Sequence, residues 1–244
     1  ETSRRRGWRE EKAAPVRESA WSGFVTIMEG CDNFCAYCVV PFTRGREKFR
    51  PTEAILDEVR DLAAKGYREI QLLGQNVNSY RDPETGTDFA ALLGLVAKVP
   101  GPDWIRFLTS HPKNFPPSLA GAMAATPKVC RQLHLPIQSG STAVLERMKR
   151  GYKREDYLET VRTLRCLMPE IRLSADIIVG YPEETEEEFA ETLSALAEIR
   201  FANIFSFGYS PRPLTAAARL ADDVPPEVKR RRLMDVQALQ KEIQ

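Results

Sequence analysis

Hydrophobic and polar positions change rhythm along this chain. From Ser22 onward, short runs rich in β-branched and aromatic residues alternate with longer stretches whose apolar residues recur every three or four positions. Residues 24–28, 69–73, 104–108, 131–135, 173–179 and 203–207 read as strands. The intervening stretches read as amphipathic helices. Residues 52–65 put Ile55, Leu56, Val59 and Leu62 on one face, and residues 89–98 do the same with Leu92, Leu93 and Val96. Residues 154–168 align Tyr157, Leu158, Val161, Leu164 and Leu167, and residues 185–199 align Phe189, Leu193, Leu196 and Ile199. Thr52-Glu53 after Pro51 is a start signal. Thr185 precedes Glu186, Glu187 and Glu188, whose charges suit a helix N-terminus better than a metal site.

Six strand–helix units imply parallel strands with right-handed crossovers. The fold class is α/β, and an incomplete (β/α)6 TIM-like barrel fits the count; a full eight-unit barrel takes about 250 residues. A doubly wound sheet is the competing layout. Either one puts reactive groups at the C-terminal strand ends. Residues 1–20 read as a polar leader with Arg4, Arg5 and Arg6 in a row, either a solvated tail or an arm for nucleic acid. The barrel is expected over residues 21–218. Residues 219–244 carry a last helix, 226–244, containing Lys229-Arg230-Arg231-Arg232.

Composition narrows the partners. Lys and Arg total 35 against 34 Asp and Glu, so the net charge is +1 and no global field draws in a polyanion. Nucleic acid would have to be met by local stretches: Arg44, Arg46, Lys48 and Arg50, or Arg147, Lys149, Arg150, Lys153 and Arg154. Each of these is also readable as a solvated surface. No apolar run reaches the roughly 18 residues of a membrane span.

The chemistry concentrates in one place. Cys31, Cys35 and Cys38 are spaced C-x3-C-x2-C directly after the first strand. Three thiolates within so short a loop suit a [4Fe–4S] cluster with one iron left open. A structural zinc would need a fourth ligand, and His111 and His134, the only two histidines, lie in other segments. A non-catalytic zinc or nucleic-acid-binding module is therefore the rival from another class. Cys130 and Cys166 read as buried small hydrophobes, Cys166 beside Leu164 and Leu167, and each histidine as a structural strand-end residue or a site group.

With Tyr37 before its third cysteine, this motif resembles that of the radical S-adenosylmethionine superfamily. The resemblance implies that Cys31, Cys35 and Cys38 hold the cluster as thiolates. It also implies that the open iron chelates S-adenosylmethionine, which is cleaved to methionine and a 5′-deoxyadenosyl radical. The segments 35–46, 134–141, 147–152 and 176–185 are similar to those of the methylthiotransferases, over nearly the whole barrel. The segment 73–80, Leu-Gly-Gln-Asn-Val-Asn-Ser-Tyr, resembles the branch that adds a methylthio group to N6-isopentenyladenosine at position 37 of tRNA. Branches acting on threonylcarbamoyl-adenosine in tRNA, or on an aspartate of a ribosomal protein, are the alternatives.

The resemblance implies cofactor contacts residue by residue. Tyr37 is expected to cover the adenine side, unless it only packs beside the cluster. Gly74, Gln75 and Asn76 are expected near the cofactor's amino group, and Gln138 and Ser139 near its ribose or carboxylate. Arg150 would pair with the carboxylate or else lie solvated on the surface. Asp176, Ile178, Gly180 and Phe207 are expected at ribose and adenine. The family also implies a monomer in the cytoplasm, an electron donor such as flavodoxin or ferredoxin, and the anticodon loop of tRNA as partner. Its members carry an N-terminal domain with a second cluster and a C-terminal RNA-binding TRAM domain. Without those, the expectation is cofactor cleavage without sulfur insertion.

Overall fold

The computed structural model describes residues 19–244; the residues 1–18 of the expected leader lie outside the described residues. The chain opens with β1 (Ser22–Thr26) and β2 (Met28–Glu29). Helix α1 (Val40–Thr43) and β3 (Lys48–Phe49) follow, then α2 (Thr52–Ala64) and β4 (Glu69–Leu73). Next come α3 (Phe89–Lys98), β5 (Trp104–Phe107), α4 (Pro117–Ala125) and β6 (Gln132–His134). The last third holds α5 (Thr142–Arg147), α6 (Arg154–Leu167), β7 (Arg172–Val179), α7 (Glu186–Ile199), β8 (Asn203–Gly208) and α8 (Pro226–Ile243).

Six of these strands are parallel. They form two three-stranded sheets, β1-β4-β5 and β6-β7-β8. A parallel bridge between Ile105 and Val129, with Cys130 N–H donating to Ile105 O at 3.0 Å, joins the two. The first and last parallel strands do not pair, so the arc stays open, as the incomplete barrel requires. The two-residue β2 and β3 pair antiparallel and close the base of the cysteine loop as a separate two-stranded ribbon.

The periodicities explain the layers. One face of the strands (Val25, Ile70, Leu72, Ile105, Leu133, Ala175, Ile177) is fully buried with the apolar faces of α2, α3, α6 and α7 in a single core. The opposite face is the open lumen, where Phe24, Trp104, Phe205 and Phe207 remain about half exposed. Thr185 caps α7 with a reciprocal capping box to Glu188, so the acidic run sits at the helix start as its charges favour. Cys130 is buried as expected, but Cys166 is exposed. Two residues along a helix turn about 200°, which carries Cys166 off the face that buries Leu164.

Candidate cluster and cofactor site

The cysteine loop leaves the C-terminal end of the first strand and is tied down on every side. Gly30 adopts φ +80°, and a Cβ there would lie 2.2 Å from the Arg46 carbonyl oxygen, so only glycine lets these two backbones meet. Cys31 N–H donates to Gly45 O, Cys38 N–H turns back to Cys35 O, and Ala36 N–H reaches Met148 O after α5.

The segment after β4 is the main brace. Gln75 Oε1 accepts from Gly30 N–H at 2.6 Å. Gly74 packs against Met28, whose sulfur accepts from the Gln75 and Asn76 N–H groups. Asn76 donates its amide to Glu47 and Asn114, and Asn114 also receives Asn33 from the cysteine loop. Asn76 Oδ1 is buried without a partner.

Cys35 is buried, whereas Cys31 and Cys38 are partly open. Burial pushes the Cys31 and Cys38 thiols above their ordinary range, so loading metal on them must release protons. The Cys35 sulfur lies 3.5 Å from His111 Nε2 and accepts from Arg150 Nη1 at 3.4 Å. Arg150 is thus not a solvated surface residue: it is 4% exposed, donating also to Tyr37 Oη, Tyr152 Oη and Pro136 O. Burial raises the Tyr37 phenol well above its usual value and keeps it neutral.

Among the described residues, no three His, Cys, Asp or Glu side chains close on a single point as a mononuclear site requires. A [4Fe–4S] cluster asks for something different, because each thiolate takes a different iron and the sulfurs stand apart. Three soft donors on one loop, with Cys35 close enough to influence both other thiols, match that requirement.

The other expected residues divide. Asp176 lies on the lumen face of β7, its carboxylate 3.5 Å from His134 Nε2, while His134 Nδ1 meets Ser174 Oγ at 3.0 Å. His134 also stacks edge-on against Phe205. Ile178 and Tyr37 each pack against the small cluster of Ala36, Val144, Met148, Tyr181, Tyr209 and Ala217. Phe207 faces the open lumen. Gln138 is buried at φ +74° and continues the sheet beside Ile177. Ser139 is fully buried and its hydroxyl meets Thr192 of α7. Gly180 donates its N–H to Glu184.

Sequence reasoning gave no role to Asn78, Asn114 or Tyr152, all of which hold site residues in place. Tyr152 lies in the segment 147–152 and Asn78 in the segment 73–80 that carry the family resemblance, whereas Asn114 carried no signal. The basic stretches are largely consumed internally. Arg50 pairs with Glu58, Arg147 with Glu188 and Arg154 with Glu198, while Arg44, Lys149 and Lys153 stay exposed, as does Arg46 in its surface pair with Asp32.

A model of the radical SAM superfamily matches residues 25–196. The tRNA-2-methylthio-N(6)-dimethylallyladenosine synthase of Pelobacter propionicus is 55% identical over 229 residues, 93% of this chain and 52% of that protein. The protein of the same name from Clostridium novyi is 52% identical over 231 residues, 92% of this chain and 51% of that one. The chain therefore spans about half the length of the curated relatives it matches. Among solved structures, the coproporphyrinogen III oxidase of Escherichia coli, a radical SAM enzyme, aligns with a TM-score of 0.66 at 18% identity over 92% of this chain and 53% of that chain. The methyltransferase TsrM of Kitasatospora setae, with cobalamin and [4Fe-4S] cluster bound, aligns with a TM-score of 0.65 at 20% identity over 80% of this chain and 38% of that one.

Proposed function

The chain belongs to the radical SAM superfamily, and from that premise we propose that it is the catalytic core of a tRNA methylthiotransferase acting on N6-isopentenyladenosine. The observation that carries this reading is the placement of three cysteines on one braced loop at the mouth of an open parallel barrel. The acceptor is inferred from relatives at 51–55% identity that bear the dimethylallyladenosine name.

Cys31, Cys35 and Cys38 hold the cluster. When bound, it supplies the electron that splits S-adenosylmethionine into methionine and a 5′-deoxyadenosyl radical. The chain's own residues bind and orient. Asn76 Oδ1, a buried acceptor still lacking a donor, suits the amino group of the cofactor. Arg150, always charged and held by Pro136 and Tyr152, suits its carboxylate. Tyr37 and Ile178, each packed against that small apolar cluster, offer apolar surface for adenine, and Asp176 and Phe207 line the lumen. The half-open aromatic lumen offers ring faces against which a flat base would stack. Exposed Arg44, Lys149 and Lys153 are left to meet phosphates of an anticodon loop. An electron carrier of the flavodoxin or ferredoxin class feeds the cluster, and an acceptor in tRNA puts the work in the cytoplasm.

Mass spectrometry of tRNA hydrolysates from cells lacking the full-length gene tests the proposal. Accumulated N6-isopentenyladenosine without its 2-methylthio form is the expected result. Loss of methylthio-threonylcarbamoyl-adenosine instead, or an unmodified ribosomal-protein aspartate, would refute the assignment of substrate.

A further inference from the structure

The three cysteine sulfurs do not share one environment. Cys31 Sγ is met only from within its own turn, by the Asn33 backbone and by Asn33 Nδ2 at 3.7 Å, whereas two buried groups from distant segments converge on Cys35. Both are independently fixed. Asn78 grips the His111 backbone twice, donating Nδ2 to His111 O at 2.8 Å and accepting His111 N–H at 3.0 Å. The imidazole packs edge-on against Tyr152. Its Nδ1 accepts the Lys113 N–H at 3.2 Å, so Nδ1 carries no proton and the neutral ring bears its hydrogen on Nε2, the atom facing Cys35. Arg150 is locked by Pro136 O at 2.6 Å and Tyr152 Oη at 3.0 Å, and Tyr152 in turn donates to Ile137 O.

On the reading that these cysteines carry an iron–sulfur cluster, we propose that His111 is a positioning residue which, together with Arg150, hydrogen-bonds the Cys35 thiolate and thereby makes that cluster easier to reduce. The physical reason is charge. A reduced cluster places more electron density on its thiolates, so a donor aimed at one of them stabilises the reduced state more than the oxidised one. Both donors sit in a dry pocket, where such bonds are strongest. Neither group accepts or loses a proton in this role, and no bond other than the hydrogen bond is made.

The chain has only two histidines, which makes a direct test possible. The protein is produced with nitrogen-15 histidine, its cluster is reconstituted without oxygen and reduced, and pulsed electron paramagnetic resonance is used to seek weak coupling from a histidine nitrogen. Coupling is expected in the parent and in His134→Gln, and is expected to vanish in His111→Leu. Redox titration supplies the second readout. His111→Leu should lower the equilibrium constant for one-electron reduction about tenfold, which is ~59 mV. His111→Gln, whose amide can restore a donor, should recover most of that loss. A reduced parent cluster with no histidine coupling overturns the inference alone. So does a His111→Leu protein that keeps both its cluster and the parent potential. A parent that takes up no iron overturns the cluster reading beneath it as well.

Discussion

Arg232 and Glu184 form a buried ion pair that fastens α8 to the loop between β7 and α7. Arg232 Nη1 donates to the Glu184 carboxylate at 2.8 Å and both its terminal nitrogens reach the Glu184 carbonyl; the two side chains are 3% and 0% exposed. The same carboxylate accepts the Gly180 N–H at 2.5 Å, while its other oxygen has no partner. Replacing Arg232 with Met keeps most of the aliphatic volume and leaves Glu184 charged in a dry site. Breaking such a pair by removing one member costs about 3–5 kcal/mol. At this chain length that is a fall in Tm of roughly 10 °C. Acidity should rescue the variant. Burial already raises the Glu184 pKa above its unfolded value, with Gly180 and Arg232 pulling the other way. A carboxyl with a raised folded pKa favours the fold below its unfolded pKa and loses that contribution as pH rises through the folded one. Losing Arg232 raises the folded value further. The deficit should be full at about pH 8 and markedly smaller at about pH 5. Urea unfolding at both pH values measures it, with Glu184→Gln/Arg232→Met expected to regain most of the loss. A deficit under ~1 kcal/mol at the higher pH, where only an exposed pair would be so weak, would refute the reasoning.

Other changes reach the site and the core. Gly30→Ala forces a Cβ into the Arg46 carbonyl at φ +80° and should cost at least about 1–3 kcal/mol and impair iron uptake, both readable on one reconstituted sample. Asp82, 3% exposed, accepts N–H groups of Thr52, Glu84 and Thr85. Burial alone would raise its carboxyl, but those bonds outweigh it and hold the pKa well below the usual range. A depressed pKa gives stability above the unfolded pKa that is lost as pH falls through the folded one. Asp82→Asn should therefore cost about 1–3 kcal/mol near neutrality and progressively less in acid, as thermal melts across pH would show.

The strands and long helices were legible because their apolar residues keep a period that survives burial. Thr52–Ala64 and Phe89–Lys98 match the apolar stripes almost residue for residue. Pro117–Ala125 escaped because its small residues, apolar nearly all round, leave no stripe to read. The β2–β3 pairing was hidden because two residues a side carry no alternation. Within the site, the cysteine spacing was plain from local sequence. The burial of Arg150 was not, since the carbonyl, phenol and thiol that receive it come from residues 14 and 115 positions away as well as from Tyr152 close by. Convergence of that kind is a property of the folded chain and leaves no periodic trace.

The central claim is that Cys31, Cys35 and Cys38 hold a [4Fe–4S] cluster whose open iron takes S-adenosylmethionine. Anaerobic reconstitution followed by iron and sulfide analysis and electron paramagnetic resonance, with and without S-adenosylmethionine, tests it most directly. About four irons per chain, a reduced-cluster signal that shifts when S-adenosylmethionine is added, and loss of both in Cys35→Ala are the predicted results. One zinc with no iron, or a cluster that survives Cys35→Ala and ignores S-adenosylmethionine, would contradict the account.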